Sequence, residues 1–407
     1  MYKRLLEDPI RAALKDTRVV ALAGPRQSGK STLARMIGGA GATYLSLDED
    51  VAYRAARDDP TGFIRRTSGL TIIDEIQRVP ELILAIKLVV DEDPRPGRFL
   101  ITGSADIRTL PTIQDSLAGR IEVFELLPLS QDEVAGNRST FLASVFDGRI
   151  PAGPALPPNE LAGRVAAGGF PEALLRGSGA RRRNWFRAYI DALIEQDVAD
   201  IASLDRRRDM PRLVALLAQH CSEQVNLTQL GASLGMDRKT VDRHVTVLEQ
   251  MFLVRRVQPW FTNELKRLAK APKLHFLDSG LAAAMRRIDP ETLGPDRISL
   301  GPIIETFVFS ELSKQASWSD DPVSIHHYRD HDGGEIDFVI EDWQRRLVAI
   351  EVKSGATVRP EAFAAMRKLS GAVGSKLVLG IVLYDGRQTL QYADNLWAVP
   401  ISALWSR

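Results

Sequence analysis

Val19-Val-Ala-Leu-Ala-Gly24-Pro-Arg-Gln-Ser-Gly29-Lys30-Ser31-Thr32 is the segment of this 407-residue chain that most constrains its architecture. Its first five residues are apolar and predict a buried strand, and the next eight fit the pattern G-x-x-x-x-G-K-[ST]. The glycines of such a loop let backbone N–H groups converge on phosphate oxygens, and the following helix N-terminus adds partial positive charge. The sequence therefore predicts an ATP site whose residues are Gly24, Pro25, Arg26, Gln27, Ser28, Gly29, Lys30, Ser31 and Thr32.

Two side chains of this loop and two acids further along are suited to ATP chemistry. Lys30 is expected to place a full positive charge on the β- and γ-phosphates, and the Ser31 hydroxyl to ligate Mg²⁺. A second apolar run, Leu70-Thr-Ile-Ile-Asp74-Glu75, ends in two acids. Asp74 is expected to hold Mg²⁺ directly or through water, and Glu75 to orient or deprotonate the attacking water. The alternative is an ordinary strand that ends in a charged turn.

Ser104 and Arg120 are weaker candidates for the same site. Ser104 follows the apolar run 99–102 and could sense the γ-phosphate or the attacking water, although a simple strand-to-turn transition has the same pattern. Arg120 could act as an arginine finger in its own subunit or in a neighbouring one. The second case requires a homo-oligomer. A surface salt bridge is the alternative role for Arg120.

Short apolar runs alternate with amphipathic helical patterns over the first 135 residues. This alternation predicts an α/β fold class with a parallel sheet that carries helices on both faces. The predicted strands are 19–23, 43–47, 70–73, 99–102 and 121–125.

A helix-turn-helix pattern occupies the middle of the chain. A short helix over 227–235 ends at a glycine, and a longer helix runs from Asp237 to about residue 251. Residues 206–273 hold 13 Lys or Arg and 6 Asp or Glu, whereas the whole chain has a net charge of +1. A strand at 252–257 and the basic segment 266–273 could form a wing. The pattern predicts DNA binding through Arg238, Lys239 and Arg243, with a protein–protein module as the alternative.

Two strand patterns near the C-terminus alternate acidic and apolar residues. Period two places Asp337 on one exposed face of the first strand, and Glu351 and Lys353 on one face of the second. Glu305, on a preceding helix, could join them, although Glu335 competes for that position. Carboxylates gathered in this way bind Mg²⁺ or Mn²⁺, which activates water for attack on a phosphodiester, while a lysine positions the water. The spacing is that of PD-(D/E)XK nucleases, and the alternative is an ordinary solvated hairpin.

The assembled motifs resemble a prokaryotic family of AAA+-type ATPases that have a central winged helix and a C-terminal domain of unknown function similar to PD-(D/E)XK nucleases. The resemblance implies an AAA+ core over 1–150, a helical lid over 151–205, a winged helix over 206–295 and a nuclease-like domain over 296–407. By analogy alone, it also implies branched DNA, such as Holliday junctions, as a substrate class. The matching stretches include 24–32, 72–77, 100–104, 117–120, 127–130, 168–172, 276–280, 301–312 and 350–353.

Composition predicts a cytoplasmic protein without a membrane partner. No apolar run approaches the roughly 20 residues that a membrane-spanning helix needs, and the single cysteine, Cys221, permits no intramolecular disulfide. Two functions fit all of these features. The leading one is an ATP-dependent enzyme that binds DNA and cuts it with Mg²⁺. The alternative is an ATP-dependent regulatory or scaffolding switch whose nuclease-like domain only binds.

Overall fold

The structure is a computed structural model that describes residues 2–109, 117–157, 159–201, 207–261, 271–288 and 297–406. The chain forms two compact units. The first contains Lys3–Pro128 and Gln250–Phe252, and the second contains Leu129–Glu249 and Leu253–Arg407. The four-domain division predicted above is finer than this and stays a prediction. Residues 266–270 of the predicted basic wing lie outside the described ranges.

The first unit is built on a five-stranded sheet with the order β2-β3-β4-β1-β5, in which every pair is parallel. Each of the five predicted strands is present within one residue of its predicted bounds, and the α/β class is confirmed. The strands are β1 Val19–Ala23, β2 Thr43–Ser46, β3 Thr71–Asp74, β4 Phe99–Gly103 and β5 Ile121–Glu125. The helices are α1 Glu7–Ala13, α2 Lys30–Gly38, α3 Asp50–Asp58, α4 Pro60–Arg65 and α5 Leu82–Glu92.

The central strands of this sheet are apolar along their whole length because both of their faces are covered. Every residue of β1 and β4 is buried, as expected for strands inside a parallel sheet with helices on both sides. The carboxyl ends of β1, β3 and β4 meet at one edge of the sheet. The loops that follow these three strands are therefore brought together there, and they carry the predicted ATP-site residues.

The second unit begins with helices and a two-stranded sheet. The helices are α6 Gln131–Ala135, α7 Phe141–Phe146, α8 Glu160–Ala167, α9 Pro171–Leu174, α10 Gly179–Ile201, α11 Met210–Gln219, α12 Leu227–Leu234 and α13 Arg238–Gln250. Strands β6 Val254–Val257 and β7 Lys273–Phe276 pair in antiparallel fashion. The second predicted helix of the helix-turn-helix pattern begins after Gly235, which has a φ of +62° and ends α12.

The rest of the second unit is a six-stranded mixed sheet with the order β12-β13-β11-β10-β9-β8. Helices α14 Ser279–Met285 and α15 Arg297–Ser317 precede it, and α16 Ala364–Val373 connects the parallel strands β10 and β11. The strands are β8 Val323–Arg329, β9 Glu335–Asp342, β10 Leu347–Lys353, β11 Leu377–Tyr384, β12 Leu390–Ala393 and β13 Leu396–Pro400. Among the described residues, no helix combines the length and the apolar character that crossing a membrane requires.

A buried carboxyl group makes the stability of the second unit depend on pH. Asp132 in α6 is fully buried, and although Oδ1 accepts the Ser139 N–H at 3.1 Å, Oδ2 has no hydrogen-bond partner among the described residues. Burial, followed by the charges of Glu311 and Glu133, raises the pKa of Asp132 to about 7. Its folded-state pKa therefore lies above its unfolded value, and ionisation opposes folding.

We expect the Asp132→Asn variant to gain stability over the wild type as the pH rises. Between pH 4 and 7 the wild type should lose about 1.4 kcal/mol per pH unit from this group, because only the folded state keeps the proton. The variant has no proton to lose. Denaturant unfolding at a series of pH values measures the difference, and Asp147→Asn, at an exposed position of the same unit, is the control. A difference between Asp132→Asn and the wild type that does not change with pH would contradict this assignment.

Candidate functional site

Two glycines shape the loop between β1 and α2. Gly24 has a φ of +157°, and a Cβ atom there would lie 2.2 Å from the carbonyl oxygen of Leu126. Gly29 has a φ of +98° and precedes the first residue of α2. A residue with a side chain would clash at Gly24 and be strained at Gly29. Because glycine has no side chain, the loop can adopt this conformation and bring its backbone close to a phosphate group.

Two polar side chains of the loop, those of Lys30 and Ser28, are buried. Lys30 is 4% exposed, and its Nζ donates to the carbonyl oxygens of Gly24 and Pro25, both at 2.9 Å. The Ser28 hydroxyl is buried and has no hydrogen-bond partner among the described residues. A buried cation beside an unpartnered hydroxyl fits a phosphate ligand, since both groups can donate to its oxygens. The remaining predicted residues lie in the loop or the first turn of α2, namely Arg26, Gln27, Ser31 and Thr32.

Arg4, which the sequence analysis did not identify, holds this loop from outside. Its guanidinium group donates to the carbonyl oxygens of Ser28 and Leu127, both at 2.6 Å. Only 7% of Arg4 is exposed. These contacts span 24 and 123 residues of sequence, so no local pattern indicated them.

Asp74, at the end of β3, accepts hydrogen bonds on both carboxylate oxygens. Oδ1 accepts from the hydroxyls of Ser31, at 3.0 Å, and Thr102. Oδ2 accepts from the Tyr44 hydroxyl at 2.5 Å. Burial, followed by the hydrogen bond to Asp74, raises the pKa of Tyr44 to about 12, so Tyr44 stays a neutral donor. The predicted metal residues Ser31 and Asp74 are thus in direct contact.

Glu75 and Ser104 are linked through Gln77, the last residue of the matching stretch 72–77, for which the sequence indicated no role. The Gln77 amide group donates to Glu75 Oε2 and, at 2.9 Å, to the Ser104 hydroxyl. The backbone N–H of Glu75 donates to Thr102 Oγ1 at 3.2 Å. Glu75 adopts a left-handed conformation with a φ of +59°, which turns the chain sharply after β3. The predicted catalytic glutamate is therefore fixed in orientation by the end of β4.

Arg120 lies at the opposite end of the sheet from the loop. Its carbonyl oxygen accepts the Val19 N–H, so it stands beside the first residue of β1, whereas the loop follows the last. Five residues of strand separate these ends by roughly 16 Å. The Arg120 guanidinium group pairs with Asp91 at 2.6 Å. This placement favours the salt bridge over a finger in its own subunit, and a role in a neighbouring subunit stays a prediction.

The three basic residues expected to bind DNA are exposed on α13. Arg238, Lys239 and Arg243 lie away from the buried face of the helix, which is formed by Val241, Val245 and Leu248. Two acidic residues of the helix, Asp242 and Glu249, bind Arg256 of β6. The single Arg256 guanidinium group offsets part of their negative charge, whereas Arg238, Lys239 and Arg243 are all exposed, so the exposed face of the helix is mainly basic.

The acidic residues near the C-terminus meet as the sequence predicted. Glu305, Asp337 and Glu351, which we call the carboxylate cluster, come from α15, β9 and β10. The Asp337 N–H donates to Glu351 Oε2 at 3.3 Å, and Lys353 Nζ donates to Glu351 Oε1 at 2.7 Å. Glu335, the competitor of Glu305, is instead exposed and pairs with Arg329 at 3.0 Å.

Lys273 enters this cluster, which corrects its expected place in an exposed basic wing. It begins β7, is 5% exposed, and its Nζ lies 3.1 Å from Glu305 Oε1 and 3.0 Å from Asp337 Oδ1. Sequence reasoning missed this contact because Lys273 closes a run of basic residues typical of a solvated segment. Only the pairing of β7 with β6 and its approach to α15 turn the side chain inward.

Burial and the repulsion between neighbouring carboxylates favour the protonated forms of Glu305 and Glu351 in the carboxylate cluster. Burial, followed by the charge of Asp337, raises the pKa of Glu351 to about 7 and the pKa of Glu305 well above its usual value. Burial alone would lower the pKa of Lys273, but Glu305 and Asp337 raise it above its usual value. Lys273 therefore stays charged.

The arrangement does not fit a divalent metal ion. Among the residues that the structure describes, no three His, Cys, Asp or Glu side chains are placed to hold one. The space between Glu305 and Asp337 is taken by the Lys273 ammonium group, a cation of different geometry. The predicted metal role of Asp337 and Glu351 therefore has no support in this arrangement.

Comparison with protein families gives three matches along the chain. Residues 16–135 match a family described as an AAA domain. The first unit has the AAA-type P-loop ATPase fold. Residues 159–292 and 300–404 match two families described as domains of unknown function, DUF8612 and DUF4143.

Individual proteins and solved structures that are similar to this chain add no assignment beyond that of the first unit. An uncharacterized protein of Mycobacterium tuberculosis is 29% identical over 392 residues, which are 96% of this chain and 82% of that protein. A cytidylate kinase of Streptococcus suis is 28% identical over 146 residues, 35% of this chain and 61% of the kinase. Among solved structures, the Thermotoga maritima RuvB Holliday junction branch migration motor has a TM-score of 0.29 at 19% identity, covering 62% of this chain and 88% of its own. A score this low does not extend the assignment.

Proposed function

We propose that this protein hydrolyses ATP with Mg²⁺ at the P-loop and uses the reaction to control how its second unit holds DNA. The observation that carries the ATPase half is the hydrogen-bonded array of Ser31, Asp74, Glu75 and Ser104, at the edge of the sheet where the loop also places Lys30. Together these residues supply a cation for phosphates, a hydroxyl for a metal and a carboxylate for water.

Mg²⁺ suits this array although few protein ligands are present. Mg²⁺ usually keeps several water molecules and takes its other ligands from nucleotide phosphates and one or two side chains. The Ser31 hydroxyl is the available ligand, because both Asp74 oxygens already accept hydrogen bonds. We infer that Ser31, oriented by Asp74, would hold Mg²⁺, which would supply charge neutralisation at the phosphates, and that Glu75, oriented by Gln77, receives the proton of the attacking water.

DNA binding is proposed from the basic surface of α13 and the helix-turn-helix arrangement in which α13 is the second helix. Together with the β6–β7 hairpin, α12 and α13 form what we interpret as a winged helix. The pairing of both Asp242 and Glu249 with Arg256, which offsets part of their negative charge, supports this proposal. It leaves the positive charges at Arg238 and Lys239 available to phosphate groups.

Replacing Arg238 and Lys239 together with alanine should weaken DNA binding and reduce its salt dependence. Each lost phosphate contact lowers the slope of log K against log salt concentration by about 0.9, so the slope should fall by roughly 2. Fluorescence anisotropy with labelled duplex DNA at several salt concentrations measures both effects. The control is the Arg359→Ala/Lys376→Ala variant, which removes the same charge from exposed positions of the same unit. Equal losses in both variants, or no binding by the wild type, would refute the proposed surface.

The C-terminal sheet is proposed not to cut DNA, because Lys273 occupies the carboxylate cluster. DNA cleavage is the second candidate, favoured by the meeting of Glu305, Asp337, Glu351 and Lys353. Incubation of the wild type with linear, flapped and four-way DNA, Mg²⁺ or Mn²⁺, and with or without ATP separates the two. Cleavage that disappears in Glu351→Ala would establish the second candidate and overturn the first.

A further inference from the structure

The Lys273 ammonium group is the central contact of the carboxylate cluster. Its two carboxylate partners come from different elements, Glu305 from α15 and Asp337 from β9. Lys273 itself belongs to β7, where it pairs with Val257 of β6. One buried side chain thus ties the hairpin after α13 to the helix and sheet of the C-terminal region.

Each carboxylate oxygen of Asp337 and Glu351 accepts a hydrogen bond from a protein donor. Asp337 Oδ1 accepts from Lys273 at 3.0 Å, and Oδ2 accepts from the Val352 N–H at 2.9 Å. Glu351 Oε1 accepts from Lys353 at 2.7 Å, and Oε2 accepts from the Asp337 N–H at 3.3 Å. Each of the four oxygens of Asp337 and Glu351 therefore has a hydrogen-bond donor from the protein without an added ion.

A divalent ion and Lys273 cannot share this position. Mg²⁺ requires oxygen ligands at about 2.0–2.1 Å in nearly octahedral geometry, whereas the ammonium group fills the space between Glu305 and Asp337. An ion bound to Asp337 would also lie close to the buried positive charge, and the repulsion is strong where little water screens it. Binding of a metal would require Lys273 to leave and expose its charge elsewhere.

We propose that Lys273 is the resident cation of the carboxylate cluster and excludes Mg²⁺ and Mn²⁺ from it in the wild-type protein. Once this one positive charge is removed, we expect the three carboxylates to move together around a divalent ion, because their mutual repulsion is then uncompensated. The lysine is supplied by the hairpin that follows the basic helix α13, so occupancy of the cluster is determined outside the strands that carry Asp337 and Glu351.

Mn²⁺ binding to nucleotide-free protein tests this proposal. All variants carry Ser31→Ala, which removes the hydroxyl expected to bind metal at the P-loop, and electron paramagnetic resonance reports free Mn²⁺. With Lys273 present, Mn²⁺ binding should not differ from that of Asp337→Asn. Lys273→Gln should gain an Mn²⁺ site whose affinity is about tenfold or more above the residual Mn²⁺ binding of the parent protein. Adding the Asp337→Asn change should remove this site. Lys273→Arg, which keeps the charge, should behave like the parent protein.

Folding of Lys273→Gln gives an independent readout, because the change leaves buried carboxylates without their cation. Its Tm should fall, and Mn²⁺ should restore it more than NaCl at equal ionic strength. If Lys273→Gln does not fold without Mn²⁺, its refolding is followed by circular dichroism, and Mn²⁺ should restore the folded signal more than NaCl does. Saturable Mn²⁺ binding by the parent that depends on Asp337 would overturn the proposal, as would a Lys273→Gln protein that neither binds Mn²⁺ nor recovers with it. No ATP or DNA is present, so these results are independent of the proposed function.

Discussion

The Glu75→Gln variant should lose ATP turnover by roughly two to four orders of magnitude while it still binds ATP. A positioned general base contributes about 10²–10⁴-fold to a rate, and glutamine keeps the size of the side chain but cannot take the proton. The hydrogen bond from Gln77 and the left-handed backbone at residue 75 hold the carboxylate in place. Little of the loss should therefore come from displacement of neighbouring groups.

Phosphate release under saturating ATP measures the turnover of this variant, and fluorescent nucleotide titration measures its binding. Glu81→Gln, at an exposed position of the same unit, makes the same chemical change away from the site and should have normal turnover. Normal turnover in Glu75→Gln would mean that another group accepts the proton and that Glu75 has a structural role. Loss of nucleotide binding together with turnover would likewise contradict a purely catalytic role.

The Lys30→Ala variant should fail at the earlier step and bind ATP about a hundredfold more weakly or worse. Hydrogen bonds to charged groups contribute about 1.5–3 kcal/mol each, and Lys30 is expected to contact two phosphates. The side chain is buried, with Nζ already directed at the carbonyl groups of Gly24 and Pro25.

Nucleotide titration of Lys30→Ala, compared with Lys15→Ala at an exposed position, tests this expectation. Affinity close to that of the wild type would place the phosphates elsewhere. The two variants should also differ in their response to DNA. If ATP binding alone sets how the second unit holds DNA, Glu75→Gln should resemble the ATP-bound wild type, and Lys30→Ala should resemble the nucleotide-free protein.

The N-terminal sheet and its loop could be predicted from sequence because their signals are local. A strand buried on both faces must be apolar along its length, as Val19–Ala23 and Phe99–Gly103 are. The loop after β1 requires glycine where side chains are excluded, so its pattern is legible in nine consecutive residues. Asp74 and Glu75 were predictable because they directly follow an apolar run. A parallel sheet then gathers the carboxyl ends of its strands.

Contacts between distant segments could not be read in this way. The strand period correctly placed Asp337, Glu351 and Lys353 together, but the choice of Glu305 over Glu335 depended on where α15 packs. Arg120 is the residue type that an arginine finger requires, yet its position at the amino end of β5 places it beside Asp91. Strand direction, rather than residue type, decided that outcome.

Sequence by itself determined the α/β class, the phosphate-binding loop, the acids at the end of β3 and the presence of a carboxylate set near the C-terminus. Tertiary structure alone decided that Arg4 supports the loop, that Gln77 joins Glu75 to Ser104, and that Lys273 fills the carboxylate cluster. The physical reason is the range of each constraint. Backbone conformation and strand burial restrict neighbouring residues, whereas a buried charge is compensated by whichever opposite charge the packing brings within hydrogen-bonding distance.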